Sequence, residues 1–288
     1  MAVLRYRSLA IGGILLLLLS IAAAAQRIAV LTPGNEPEST EFAEGLETYL
    51  SRRFKLVDGA VAQSAFASFS PATPFNLTNE EAKKLGAAMG CNFFILLRAA
   101  NQRRSSFKRP EYYEAYAAIY VVSARTGRLI SWKLVSEEEA KSEKASLALR
   151  RSMDKTAEDI MDVVGSVSKK EIQEQVAADI EEVPDPDSPA ARNFRSPVPY
   201  RRIKPEYTAQ AALYDVTATV DLVVDLSVDG SILRTEVVRW AGYGLHESVE
   251  KTVRSMNWRP AERGGKPLPV RFLLRYNFKK IDKDKNLP

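Results

Sequence analysis

One histidine, one cysteine and a pair of glycines ahead of a helix are the residues that could carry chemistry in this chain. Structural zinc takes several Cys or His ligands, and a Ser-His-Asp or Cys-His mechanism would have to rest on the lone imidazole, His246. No nucleophile and acid are ordered around it, and it reads as a surface residue at the start of a helix. Cys91 opens the apolar run CNFFILL and reads as a small buried hydrophobe. Tyr112, Tyr113, Tyr116 and Tyr120, beside Glu111 and Glu114, are ordinary strand composition. The expectation is a non-enzyme with no cofactor and no metal.

The glycines belong to GYGLHESVEKTVRSMNWRPAERGGKPLPVRF, residues 242–272. A dinucleotide loop needs G-x-G-x-x-G in a parallel βαβ unit. Gly242 and Gly244 match, but Glu247 takes the third position, where a carboxylate would repel phosphate. The structural reading accounts for more of the residues. Leu245, Val249, Val253 and Met256 form one apolar stripe over Leu245–Asn257. Glu247 and Glu250 come early and Lys251 and Arg254 late, as the helix dipole favours. Trp258-Arg259-Pro260 ends the helix, because the residue before proline avoids helical geometry.

The elements around that helix are strongly patterned. From Val216 to Val228 the even positions are all apolar and the odd ones mostly polar, which predicts a strand with one wet face. Asp229-Gly230 predicts a tight turn into a second strand over Ser231–Trp240. Val270 to Phe278 alternates again, so a strand–strand–helix–strand unit is expected. Upstream, Arg27–Leu31, Phe54–Asp58 and the run from Cys91 read as strands. Glu38–Arg53 and the stretch after a capping Asn79 read as helices. Tyr112–Val122 and Leu129–Val135 flank a glycine turn, and Ser142–Val167 reads as one long helix. Prolines and acidic residues in VPDPDSPAARN, from Val183, mark a linker.

Leucine-rich residues 9–25 follow Arg5 and Arg7 and end in a run of alanines. This predicts a secretory signal cut before Gln26, the alternative being an uncleaved anchor facing the periplasm. No cysteine follows it for lipid attachment, and a single cysteine permits no intrachain disulfide. Residues 194–288 hold 17 Lys+Arg against 11 Asp+Glu, while residues 26–193 hold 22 against 25. So mild an excess suits an acidic protein surface or headgroups and does not support nucleic acid as a partner. The expected division is residues 1–25 signal or anchor, 26–175 an α/β interaction domain, 176–196 linker, 197–280 a second domain and 281–288 a tail, in an α+β chain.

The second domain resembles the TonB C-terminal domain over residues 197–279. The resemblance lies in PVPYRRIKPEYTAQA at the start of the domain, in VDLVVDLSVDGSILRTEVVRWAGYGLHESVEKTVRSMNWRPA, and in GGKPLPVRFLLRYNF. Asp215 departs from it, where a glycine is common, and so does His246, where an acidic residue is usual. More loosely, residues 27–140 resemble the α/β domains of TolB N-termini and CsgG-like proteins. The first resemblance implies a three-stranded antiparallel sheet backed by one helix, whose last strand takes an extended peptide from an outer-membrane receptor or other envelope protein by strand addition. It thus implies partner contact at Val270, Arg271, Phe272, Leu273, Leu274, Arg275, Tyr276, Asn277 and Phe278. Arg271 and Arg275 are expected to face outward, either toward acidic residues of the peptide or as guards of an exposed edge against aggregation. An adaptor or scaffold in the envelope is the preferred reading, with periplasmic localisation. An inner-membrane TonB-type energy transducer is an alternative, although the apolar segment has no histidine and a globular domain stands where a long spacer would be. A cell-wall or ligand-binding protein is another, its candidate surface loop carrying Arg103, Arg104, Lys108 and Arg109 against membrane or peptidoglycan. Oligomeric state is left open.

Overall fold

The computed structural model describes residues 26–34, 36–171 and 180–280. The signal or anchor segment and the tail lie outside them. No helix among the described residues is long and apolar enough to cross a membrane.

The first half runs β1 (Arg27–Leu31), α1 (Pro37–Leu50), β2 (Lys55–Leu56), α2 (Gly59–Phe69), α3 (Asn79–Met89), β3 (Phe93–Arg104), β4 (Tyr112–Ser123), β5 (Leu129–Glu139), α4 (Ser142–Arg151) and α5 (Met153–Glu171). Its sheet has the order β2-β1-β3-β4-β5, parallel on either side of β1 and antiparallel from β3 onward. Both faces of β3 and β4 are covered, which is why their residues are apolar almost without alternation. On one face, Ile95, Leu97, Ile119 and Val121 meet Phe42 and Leu46 of α1, Leu149 of α4 and Ile160 of α5.

Two local expectations are corrected. The long helix from Ser142 breaks at Ser152, whose hydroxyl donates to the Leu149 carbonyl at 2.7 Å. This hydroxyl–backbone bond competes with the helical ladder, and the break lets Met153, Ala157 and Ile160 join the core with α1. Thr78, not Asn79, caps α3: its Oγ1 accepts from Glu81 N–H while Glu81 accepts from Thr78 N–H, a capping box. Asn79 is thereby freed to reach the second half, donating to Val237 O at 3.1 Å. The helix α2, capped by Asp58, was not anticipated.

The second half contains β6 (Glu181–Glu182), a 3₁₀ turn at Pro189–Ala191, β7 (Phe194–Arg195), β8 (Val198–Pro199), α6 (Ala209–Leu213), β9 (Ala218–Leu226), β10 (Ile232–Arg239), α7 (Leu245–Arg254), β11 (Trp258–Arg259), β12 (Ala261–Arg263), β13 (Lys266–Leu268) and β14 (Val270–Phe278). Its main sheet is β10-β9-β14, antiparallel, with β6 added in parallel beside β14. The short strands β8 and β11 pair with each other, as do β7, β12 and β13. As expected, Leu245, Val249 and Val253 of α7 cover the even face of β9.

Besides the core that the first half buries by itself, the two halves share a second one. Leu85, Phe94, Leu96 and Tyr120 of the first join Leu222, Val224, Trp240 and Leu245 of the second in one cluster. Trp240 Nε1 donates to Gly127 O at 3.0 Å across the junction. Asn76, buried between the halves, donates to Thr219 O at 2.8 Å and Trp240 O at 2.7 Å and accepts from Thr219 N–H at 2.8 Å. Because β10 pairs with β9 only as far as Arg239↔Asp221, the Asn76 amide stands in for the next residue of that ladder. Part of the segment read as a linker lies on the second half, where Val183 packs against this shared core.

Candidate functional site: the outer edge of the C-terminal sheet

Alternation places Val270, Phe272, Leu274, Tyr276 and Phe278 of β14 toward the core. Arg271, Leu273, Arg275 and Asn277 take the other face, directly across from Asp225, Val223, Asp221 and Thr219 of β9. The expectation for the two arginines is corrected here. Arg271 grips Asp225 with two bonds of 2.6 and 2.8 Å, and Arg275 grips Asp221 with two of 2.7 and 2.9 Å. Arg239 of β10 adds a third bond to Asp221, at 3.2 Å.

Both aspartates are almost wholly covered, 3% and 2% exposed, and such carboxylates need partners to stay charged. Burial works to raise the Asp221 pKa, but Arg275 and Arg239 outweigh it and hold the group below the ordinary carboxylate range. The arginines are therefore engaged within the sheet. A sequence signal for this existed: the aspartates and the arginines each stand four residues apart, on strands that pair antiparallel in the family's fold.

The edge itself is partly occupied. The Arg271 carbonyl points away from β9 and accepts from Val183 N–H at 2.9 Å, and β6 pairs with Val270 and Arg271. Strand geometry then turns the N–H and C=O of Leu273, Arg275 and Asn277 to the same outer side. Among the described residues no strand pairs there. The Leu273 side chain is 52% exposed beside them. β14 is thus open over its second half and closed by its own chain over its first two residues.

The basic loop differs from its sequence reading too. Strand β3 continues through Arg104, so only the tip is a turn. Arg103 pairs with Glu111 at 3.0 Å. Arg104 binds buried Glu114 at 2.8 Å and lies over the Tyr214 ring. Arg109 pairs with Glu138 and covers the Tyr112 ring. Lys108 is exposed at the tip and has no partner among the described residues, next to a fully exposed Phe107.

His246 is not a surface residue. Its Nδ1 contacts the Ala241 carbonyl and its Nε2 lies 3.1 Å from Glu247. Burial lowers its pKa, but Glu247 and the Ala241 carbonyl more than offset this and raise it. Burial pushes the half-buried Cys91 thiol up to about 12, so it is no nucleophile at neutral pH. No group of three or more His, Cys, Asp or Glu able to hold a metal occurs among the described residues. Gly244 has φ +72°, as the turn into α7 requires. Gly242 serves another purpose: a Cβ there would sit 2.2 Å from Trp132 Nε1 of β5. Asp215, where glycine is common in the resembled family, has φ +52°, the left-handed region that explains that preference.

A three-stranded antiparallel sheet, a single covering helix and a last strand with an open margin define the class. Residues 203–279 match the family model of the Gram-negative bacterial TonB protein C-terminal. No curated protein matches the chain. Among solved structures, the chain is similar to the hypothetical protein CT253 from Chlamydia trachomatis, with 15% identity, 49% of this chain and 99% of that one covered, and a TM-score of 0.33. It is similar also to lipoprotein GNA1162 from Neisseria meningitidis, with 14% identity, 48% and 99% covered, and a TM-score of 0.33. The LpoB C-terminal domain from Salmonella enterica gives 15% identity, 39% and 82% covered, and a TM-score of 0.28.

Proposed function

We propose that this chain is a non-enzymatic adaptor of the Gram-negative envelope, acting on the periplasmic side and holding an extended segment of a partner protein along β14. The single observation that carries this reading is the unpaired row of main-chain groups at Leu273, Arg275 and Asn277. Such a row accepts a further strand without rearrangement of the sheet. The charge ladder behind it supports the reading in a second way. With Arg271 and Arg275 bound to Asp225 and Asp221, recognition rests on main-chain pairing and on side chains such as Leu273, and it does not require an acidic partner. The adaptor reading is favoured over an energy transducer because the first half packs into the core of the second, where a transducer needs a long spacer.

A photo-crosslinking residue at position 277, in cells, is expected to trap a discrete envelope partner, and one at Leu233 on β10 is not. Adding Leu273→Pro, which deletes one outward N–H at an exposed residue outside the charge ladder, should abolish the adduct while the protein still accumulates. Equal adducts at both positions, or an adduct indifferent to the proline, would refute strand addition at this edge.

A further inference from the structure

A cleft of about 330 Å³ lies where the two halves meet, and no residue of β14 lines it. Its walls are aromatic. Phe75 and Tyr120 lie with ring centroids 5.4 Å apart, Tyr116 and Tyr214 at 4.8 Å, and Tyr214 and Tyr243 at 5.6 Å. Clefts of this size between units, apolar with a few convergent polar groups, are the usual form of a small-molecule site.

The polar groups in it are not used up by the protein. Tyr116 and Tyr243 are each 7% exposed, yet their hydroxyls have no hydrogen-bond partner among the described residues. Neither hydroxyl belongs to the fully buried polar atoms that lack a partner, so both open into the cleft, where a ligand can reach them. Burial pushes the Tyr243 phenol up to about 12, so it stands ready as a donor at neutral pH. Arg98 of β3 lines the same cleft, and its field reaches the Tyr120 and Tyr243 phenols. Among the described residues its only carboxylate neighbour is Glu36, through a single contact at 3.9 Å, so most of the guanidinium fork is open. The one acid on the cleft wall, Asp215, is paired with Lys280. The wall therefore offers donors, positive charge and flat aromatic surface together.

We propose that this cleft binds a small carboxylate with a flat apolar body, its carboxylate held by Arg98 and the Tyr116 and Tyr243 hydroxyls and its body lying against Phe75 and Tyr120. The site is independent of the strand edge and would make the chain a ligand-responsive protein whatever it grips.

The probe is phenylacetate, with neutral phenylacetamide as its control, titrated into the full exported chain. Trp132 and Trp240, which pack on Tyr243 and Tyr120, supply a fluorescence signal, and calorimetry supplies a second. Phenylacetate should bind saturably and about tenfold or more tighter than the amide, as a charge-assisted contact requires. Arg98→Gln, at a half-exposed position, should erase that preference, and Tyr243→Phe should weaken phenylacetate about fivefold. An unchanged unfolding midpoint certifies each fold. No saturable binding, equal affinity for the two compounds, or a preference that survives Arg98→Gln would each overturn the assignment. Failure here leaves the crosslinking experiment on β14 unaffected, because the two sites share no residue.

Discussion

Replacing Asn76 with alanine tests whether the chain is one cooperative body. The amide side chain makes three bonds of 2.7 to 2.8 Å to main-chain groups of the other half, in a buried position. Alanine leaves the Thr219 N–H orphaned, which costs about 1–3 kcal/mol, and leaves two carbonyls short of a donor at a smaller cost each. A loss of about 3 kcal/mol follows, near the upper end for a single substitution. For a chain of this size that is a fall in Tm of roughly 6–12 °C. Trp258 packs on Phe272 within the second half, whereas Trp132 and Trp240 sit at the junction, so variants keeping one tryptophan each let guanidinium unfolding of the second half be compared with parting of the halves. Both signals should move together to lower denaturant, with one transition. A shift confined to the second half, or a loss below about 0.5 kcal/mol, would refute the shared-core argument.

Two further outcomes follow from the site. Asp221→Asn should destabilise the protein by about 1–2 kcal/mol at neutral pH, at the low end for a covered pair because Arg275 can still reach water. Since the folded pKa of Asp221 lies below its usual value, this contribution is complete above the unfolded carboxylate range and is lost as pH falls through the folded value. The gap between wild type and variant in urea melts should therefore close in acid, and a gap independent of pH would show that the charge is not involved. Gly242→Ala forces a Cβ onto the Trp132 indole and should cost about 1–3 kcal/mol with a changed tryptophan emission. An unaltered spectrum would mean that the close approach is not tight.

Much of the second half was legible in the sequence because its signals are periodic and local. The alternation over Val216–Val228, the Asp229-Gly230 turn and the stripe from Leu245 to Val253 each fix a period or a turn without reference to the rest of the chain. What stayed hidden depends on pairs distant in sequence. Gly242 matched a position of a nucleotide loop and proved to be the landing place of Trp132. Asn76 carried no pattern at all, since its partners are main-chain atoms more than 140 residues away. Arg271 and Arg275 were visible as outward residues on a strand, but only the register with β9 shows that their charge is already answered. His246 misled because helix position alone does not reveal the Ala241 carbonyl waiting for its ring.

The common core has a practical side for anyone wishing to produce the C-terminal unit alone. Cutting at the prolines, where composition suggests a joint, would strip Tyr120 and the Gly127 carbonyl from Trp240 and strip Trp132 from Tyr243. Each product would carry a bared aromatic patch, the kind of surface that drives self-association in solution. The unit in this chain is therefore no interchangeable cassette, and experiments on it are best done with its upstream neighbour attached.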